Sequence, residues 1–482
     1  MSAFDELEPR GLWAAFETIT RIPRPSRKEE KVREWLIQEA EKRGFSHQTD
    51  SVGNLVVRVP ASPGKESSPT VVLQGHMDMV CEKNRSVEFN FEKDPIRVVR
   101  DGDWLKADGT TLGADNGIAV AMMLALLDDN GEHGPLELLF TMDEESGLIG
   151  ALELDPTLIS GRILVNIDSE DEGVVCIGCA GGKNTEGEVP LVTESIPANC
   201  TSYELEVLGL NGGHSGTEIH VGLGNAVSLC ARVLDRLARE LPLRISSLSG
   251  GDKHNAIPRE CAVVLSVPQE SGEKLRNLVA EMEQEIRSEI GDIEPNLRIS
   301  LGEVALPAAP AAALESSVAI IRTLLLIPHG VLGMSRVAPG VVETSSNLAA
   351  AKIEGKALKL LTSQRSSVAS LCNAAAERVR AAVEAAGGSV RYASEYPAWR
   401  PNPDSALLAR CREAYKEMNG TEMKVEVIHA GLECGVIGAK VPGMEMISIG
   451  PEIRGPHSPD ERLSIGSAIR VYEFLKSLLD RL

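Results

Sequence analysis

Side chains that bind divalent cations recur at the ends of apolar, strand-like runs: four times before residue 170, and once more at residue 457. The runs are VVLQGHMDMV, TTLGADNG, ELLFTMDEESG, RILVNIDSED and MISIGPEIRGPHSPDER. They carry His76 and Asp78, Asp115, Glu144 and Glu145, Asp168, and His457. Carboxylates and imidazoles at the tips of buried strands are costly unless something pairs with them. Two divalent cations satisfy all of them together, and this mixture of His, Asp and Glu suits zinc, manganese or cobalt. For His457 to rejoin the earlier residues, the chain must leave one domain, build another and return. That predicts a discontinuous catalytic domain with two-metal hydrolytic chemistry.

The texture of the chain agrees. Up to about residue 190, strands such as NLVVRVP, TVVLQGHMD, LELLFTMD and RILVNID alternate with helical stretches, IAVAMMLALL among them. Near-continuous apolar strands belong to a sheet buried on both faces, so an α/β mixed sheet with helices on both faces is expected. After Asn199 the pattern changes. TSYELEVLGL alternates at period two, and strands and amphipathic helices follow in the order β-α-β-β-α-β as far as NLRISLGEVA, a ferredoxin-like arrangement. A second such half follows, from ALESSVAIIRTLLLI to SVRYASE, lacking a clear first strand. The α/β texture resumes near Pro397. The expected boundaries are 1–195 and 397–482 for the catalytic domain, with an inserted, duplicated lid at 196–396.

Composition narrows the partners. Lys+Arg 49 against Asp+Glu 70 gives a net charge of −21, which repels nucleic acid and anionic membrane surfaces. Aromatics, at 3%, are too scarce for a base-stacking platform. The N-terminus MSAFDELEPRGLWAAFETI is acidic and amphipathic rather than a signal peptide, and no run reaches the ~20 apolar residues of a membrane span. Nine cysteines in mostly apolar contexts read as reduced thiols of a cytoplasmic protein. Cys176-x-x-Cys179 has no second pair to complete a zinc knuckle and reads as plain thiols.

Each site residue has a blander reading. H-x-D alone suggests a structural hydrogen bond, but directly after VVLQG it reads as a metal-binding His76 oriented by Asp78. Asp115 in GADNG suits an Asx-turn at a helix start, but with the other ligands present it reads as a carboxylate bridging two metals. Glu144 and Glu145 are adjacent at a strand end and point in different directions, so one can bind metal while the other moves a proton. Asp143 makes the run a triplet and leaves open which does which. Asp168 and His457 are unremarkable singly; only a shared cation explains the set.

The motifs GHMDMV, GADNG, MDEESG, NIDSED, GLNGGHSG, HNAIP and GPHSPDER resemble, in order and over almost the full length, the di-zinc exopeptidases that include carboxypeptidase G, peptidase T and aminoacylase. Within that family the likeness is strongest to the aminoacyl-histidine dipeptidases. The resemblance implies two divalent metals per chain, zinc by the family's pattern, with manganese or cobalt as alternatives. His76, Asp115 and Asp168 would hold one; Asp115, Glu145 and His457 the other. It implies Glu144 as general base, Asp78 behind His76, and a cis peptide after Asp115. His214, in GGHSG at the start of the first lid helix, would stabilise the oxyanion. Asn255, Arg365 and the stretch Gly431, Leu432, Glu433 and Cys434 would contact the substrate ends, with Arg365 pairing a free α-carboxylate. The implied activity is hydrolysis of unblocked dipeptides, Xaa-His among them. An aminoacylase, a tripeptidase and a non-catalytic peptide-binding relative are the rivals. A lid strand could also pair across a homodimer.

Overall fold

The computed structural model describes residues 2–129 and 131–482. The chain divides into two compact units: Met1–Cys179 with Trp399–Val427 and Leu432–Leu482, and Ala180–Ala398 with Ile428–Gly431.

The first unit is built on an eight-stranded sheet. Its order is Ser46–Thr49, Leu55–Val59, Leu136–Thr141, Val71–His76, Ile163–Asn166, Glu445–Ser448, Val174–Cys179 and Lys424–Ile428. VVLQGH and LELLFT are buried at every position, as strands covered on both faces must be. Val71–His76 runs parallel to both its neighbours, with His76 opposite Thr141 and Gln74 opposite Asn166. The carboxyl ends of three strands therefore lie level, and the loops leaving them carry the cation-type residues to one edge, where open α/β sheets gather ligands. The helix Ala114–Leu126 is apolar nearly all round and buried almost throughout. A separate four-stranded sheet pairs Ile453–Arg454, Arg462–Ser464, Trp104–Ala107 and Val98–Asp101, and His457 sits in the loop joining its first two strands.

The second unit contains two ferredoxin-like halves. In one, the spatial order is Arg298–Val304, Cys200–Leu208, Cys261–Pro268, Arg244–Gly250; in the other it is Val342–Glu354, Ala357–Ser366, Gly181–Pro190, Ser389–Tyr396. Each half places its fourth strand beside its first and its third beside its second. The halves join edge to edge through Ser249 opposite Lys352 and Gly250 opposite Ala351. Their helices bury apolar stripes against the sheet; Val233, Leu234, Leu278 and Val379 share one core with Leu205, Val263 and Leu265.

The first strand that seemed missing from the second half is Gly181–Pro190, which precedes the whole first half in the chain and pairs with Ala357–Ser366 over ten residues. The first half is thus inserted within the second, and the unit begins at Ala180 rather than 196. Ile428–Gly431 also returns to this unit, inside the segment expected to be wholly catalytic. Among the described residues no helix is long and apolar enough to cross a membrane.

Candidate active site

His76 ends its strand with its side chain only 1% exposed. Its Nε2 lies 3.1 Å from Asp115 Oδ1 and 3.4 Å from Asp168 Oδ1. The other oxygen of Asp115 faces His457, with Nε2 to Oδ2 at 3.1 Å, and the same imidazole nitrogen lies 3.2 Å from Glu145 Oε2. Asp115 therefore stands between two trios, His76–Asp115–Asp168 and Asp115–Glu145–His457, and the potential ligand atoms in each lie within 4.8 Å of one another. Glu144 and Glu145 form a further trio with His76. Asp115 follows Gly113, whose φ of +70° starts the helix in the left-handed region, and the Asp115–Asn116 peptide is cis.

The charges at this edge are strongly coupled. Burial alone would lower the His76 pKa, but Asp168, Asp115 and Asp78 raise it well above the ordinary imidazole value. Hydrogen bonds donated to Asp115 and Glu145 lift His457 to about 11. Burial pushes Asp168 up to about 6 against the pull of His76, with Asp115 and Glu145 adding to the rise. Glu144 is raised well above the carboxylate range, by burial first and by Asp168, Glu145 and Glu433 against the pull of His76. Asp168 Oδ1 and Glu145 Oε1 are buried without a hydrogen-bond partner. Such a gathering of acid oxygens around two imidazoles is what divalent cations relieve. One imidazole and two carboxylates on each side fit zinc, manganese or cobalt.

Buried acceptors hold the loop of Glu144 and Glu145. Asp78 Oδ1 accepts His76 Nδ1 at 3.2 Å and the Glu144 amide at 3.0 Å, while Oδ2 accepts the Glu145 amide at 3.2 Å and the Ser26 hydroxyl at 2.7 Å. These contacts outweigh burial and hold Asp78 down to about 2. Glu29 Oε1 accepts the Asp143 amide at 2.8 Å, so three successive amides end on two carboxylates. Glu29 and Ser26 come from RPSRKE, a stretch the sequence marks only as a break between helices.

Glu433 does not meet the expectation of a substrate contact. It is 0% exposed, and its Oε2 accepts Gln74 Nε2 at 2.5 Å and Thr141 Oγ1 at 2.8 Å. Gln74 Oε1 in turn accepts Asn166 Nδ2 at 2.6 Å. The carboxylate at the start of helix Glu433–Lys440 thus ties adjacent strands together beneath the site, with no surface left for a substrate.

His214, Asn255, Arg365 and Gly431 all belong to the second unit. His214 does not begin a helix, because Ala226–Ala238 is the first long one; it lies in the short strand Gly213–His214, opposite Ala256. The Ser215 amide donates to Asn255 O at 2.8 Å. A Cβ on Gly216 would stand 3.0 Å from His214 Cε1 and 3.3 Å from Arg365 Cζ, so the glycine lets imidazole and guanidinium approach. Arg365, 8% exposed, donates Nη1 to Tyr396 OH at 3.0 Å. His429, which the sequence shows only as part of a strand, bonds Ser345 Oγ through Nε2 at 2.7 Å and leaves Nδ1 buried without a partner. Burial, then Arg365, lower both His214 and His429, the latter to about 4. Arg365 Nε is buried without a hydrogen-bond partner, which leaves this guanidinium a donor for an anion.

Comparison with known proteins follows the same lines. The model of Peptidase family M20/M25/M40 matches residues 72–481. Over 480 residues the chain is 41% identical to the cytosol non-specific dipeptidase of Escherichia coli (strain K12), covering 99% of each protein. The crystal structure of aminoacylhistidine dipeptidase from Vibrio alginolyticus matches with a TM-score of 0.93 and 39% identity, covering 100% of this chain and 98% of that one. A Staphylococcus aureus tripeptidase matches at 15% identity with a TM-score of 0.56 over 98% of each chain, a likeness of fold alone.

Proposed function

Since the chain belongs to peptidase family M20/M25/M40, we propose that it is a metal-dependent dipeptidase acting in the cytoplasm on unblocked dipeptides, Xaa-His among them. The observation that carries this reading is Asp115 standing between two histidine–carboxylate trios, with Glu144 beside them. His76, Asp115 and Asp168 would hold one cation, and Asp115, Glu145 and His457 the other. Bound there, the cations would polarise the scissile carbonyl and lower the pKa of water.

The protein's own residues do the rest. Glu144, with its pKa raised by burial and like-charged neighbours, takes the proton of the attacking water and returns it to the departing amine. Asp78 keeps His76 Nδ1 engaged, so that Nε2 is the nitrogen turned towards Asp115 and Asp168. From the second unit, His214 supplies a donor to the developing oxyanion, and Arg365 pairs the substrate's α-carboxylate. Asn255 and Gly431 complete that end. The relatives named as dipeptidases support the substrate class, at 41% and 39% identity over essentially the whole chain.

A panel of Ala-His, acetyl-Ala-His and Ala-Ala-His, offered to zinc-, manganese- or cobalt-loaded protein, tests the proposal. Hydrolysis concentrated on Ala-His is expected. Turnover confined to the acetylated or three-residue substrate would replace this reading with aminoacylase or tripeptidase chemistry.

A further inference from the structure

Asp115 sits in the first turn of the helix Ala114–Leu126 but has φ −78° and ψ 109°, so helical geometry does not fix its direction. Something else must. Glu461, only 2% exposed, lays both carboxylate oxygens along the preceding loop. Its Oε2 accepts the amides of Leu112 at 2.7 Å and Gly113 at 2.9 Å; its Oε1 accepts those of Ala114 at 2.8 Å and Asp115 at 3.2 Å. An ordinary N-cap side chain satisfies one of the orphan donors at a helix start. Here a single carboxylate takes four successive amides, at the end of the helix where negative charge is favoured.

The opposite side of the same loop is held by a cation. Arg24, 1% exposed, donates Nη1 to the carbonyls of Met77 at 2.9 Å and Asp78 at 2.5 Å, and Nη2 to the carbonyl of Gly113. The amide side of the loop thus ends on Glu461 and a carbonyl on Arg24, and the attraction between the two charges acts across it. Glu461 also lies in the hairpin that carries His457, its own amide bonded to Ser458 O at 3.1 Å. One side chain therefore connects the loops of Asp115 and His457, two members of a single trio.

We propose that Glu461 is the positioning residue of the shared carboxylate: it sets Asp115 so that Oδ1 faces His76 and Oδ2 faces His457. This rests on the reading of Asp115 as a ligand common to two cations. A glutamine cannot substitute, because its amide nitrogen would meet two backbone donors that need an acceptor.

The test is zinc binding by calorimetry to wild-type and Glu461→Gln chains, alongside kinetics on Ala-His and a thermal melt. Expected for the folded variant is zinc affinity weaker by about tenfold to a hundredfold, with kcat reduced and KM unchanged. A melting temperature that falls while zinc affinity and kcat stay at wild-type values would make Glu461 merely structural and overturn the inference. If Glu461→Gln does not fold, Glu461→Asp decides by the same measures, and failure of both to fold also overturns a positioning role. A wild-type chain that binds no zinc would overturn the underlying two-metal reading, a result distinct from a variant that matches a zinc-binding wild type.

Discussion

The two units solve opposite electrostatic problems with the same kinds of side chain. At the strand ends of the first, His76 and His457 lie among carboxylates, which raise both imidazoles. In the second, His214 and His429 lie near Arg365, and burial and that guanidinium lower both. Histidine is thus tuned in either direction by its neighbours. The first arrangement suits cations and the second the anionic groups of a substrate. The proposed function draws on that contrast, with metal chemistry in one unit and substrate-end recognition in the other.

The sharpest way to break that division is Glu144→Gln. It should lower kcat by about a hundredfold to ten-thousandfold while two zinc ions still bind, because only proton transfer is removed. Zinc loss in this variant, measured by metal analysis after dialysis, would make Glu144 a ligand instead. Arg365→Met should come next, lowering kcat/KM for Ala-His by roughly tenfold to a hundredfold, the worth of a charged hydrogen-bonded pair. The same variant should lose little on Ala-His amide, which lacks the carboxylate; equal losses on both substrates would remove Arg365 from substrate recognition. Asp78→Asn should weaken zinc affinity by about tenfold or more, as loss of a histidine's supporting carboxylate does elsewhere.

The smallest effect is in pH. His457 is raised to about 11 by Asp115 and Glu145, so around neutral pH it is protonated until a cation displaces the proton. Zinc affinity should therefore rise with pH across the neutral range, and binding should release protons to the buffer. Calorimetry in buffers of differing ionisation enthalpy measures that release, and a pH-independent affinity would contradict it.

What the sequence made legible follows from the range over which each signal acts. VVLQGHMD announces itself locally, since an unbroken apolar run ending in H-x-D reads as a buried strand with polar groups at its tip. The ferredoxin-like order of the first lid half is likewise written in periods of two and of 3.6 residues. Gly181–Pro190 is not, because GGKNTEGEVP has hardly any apolar alternation and its partner lies far along the chain, beyond the whole inserted half. Glu461 stands in PHSPDER, where an acidic residue in a turn looks solvated. Only folding brings the four amides of 112–115 to it. Glu433 failed for the converse reason: the family resemblance set it among the substrate-end contacts, yet Gln74 and Thr141 bond its Oε2 from within the sheet.

The most direct measurement is a zinc titration of metal-stripped protein, followed by Ala-His hydrolysis at each addition. Two trios sharing Asp115 should give activity that climbs to a plateau at two zinc ions per chain. Full activity at one ion, or no hydrolysis of any dipeptide at any loading, would contradict the account.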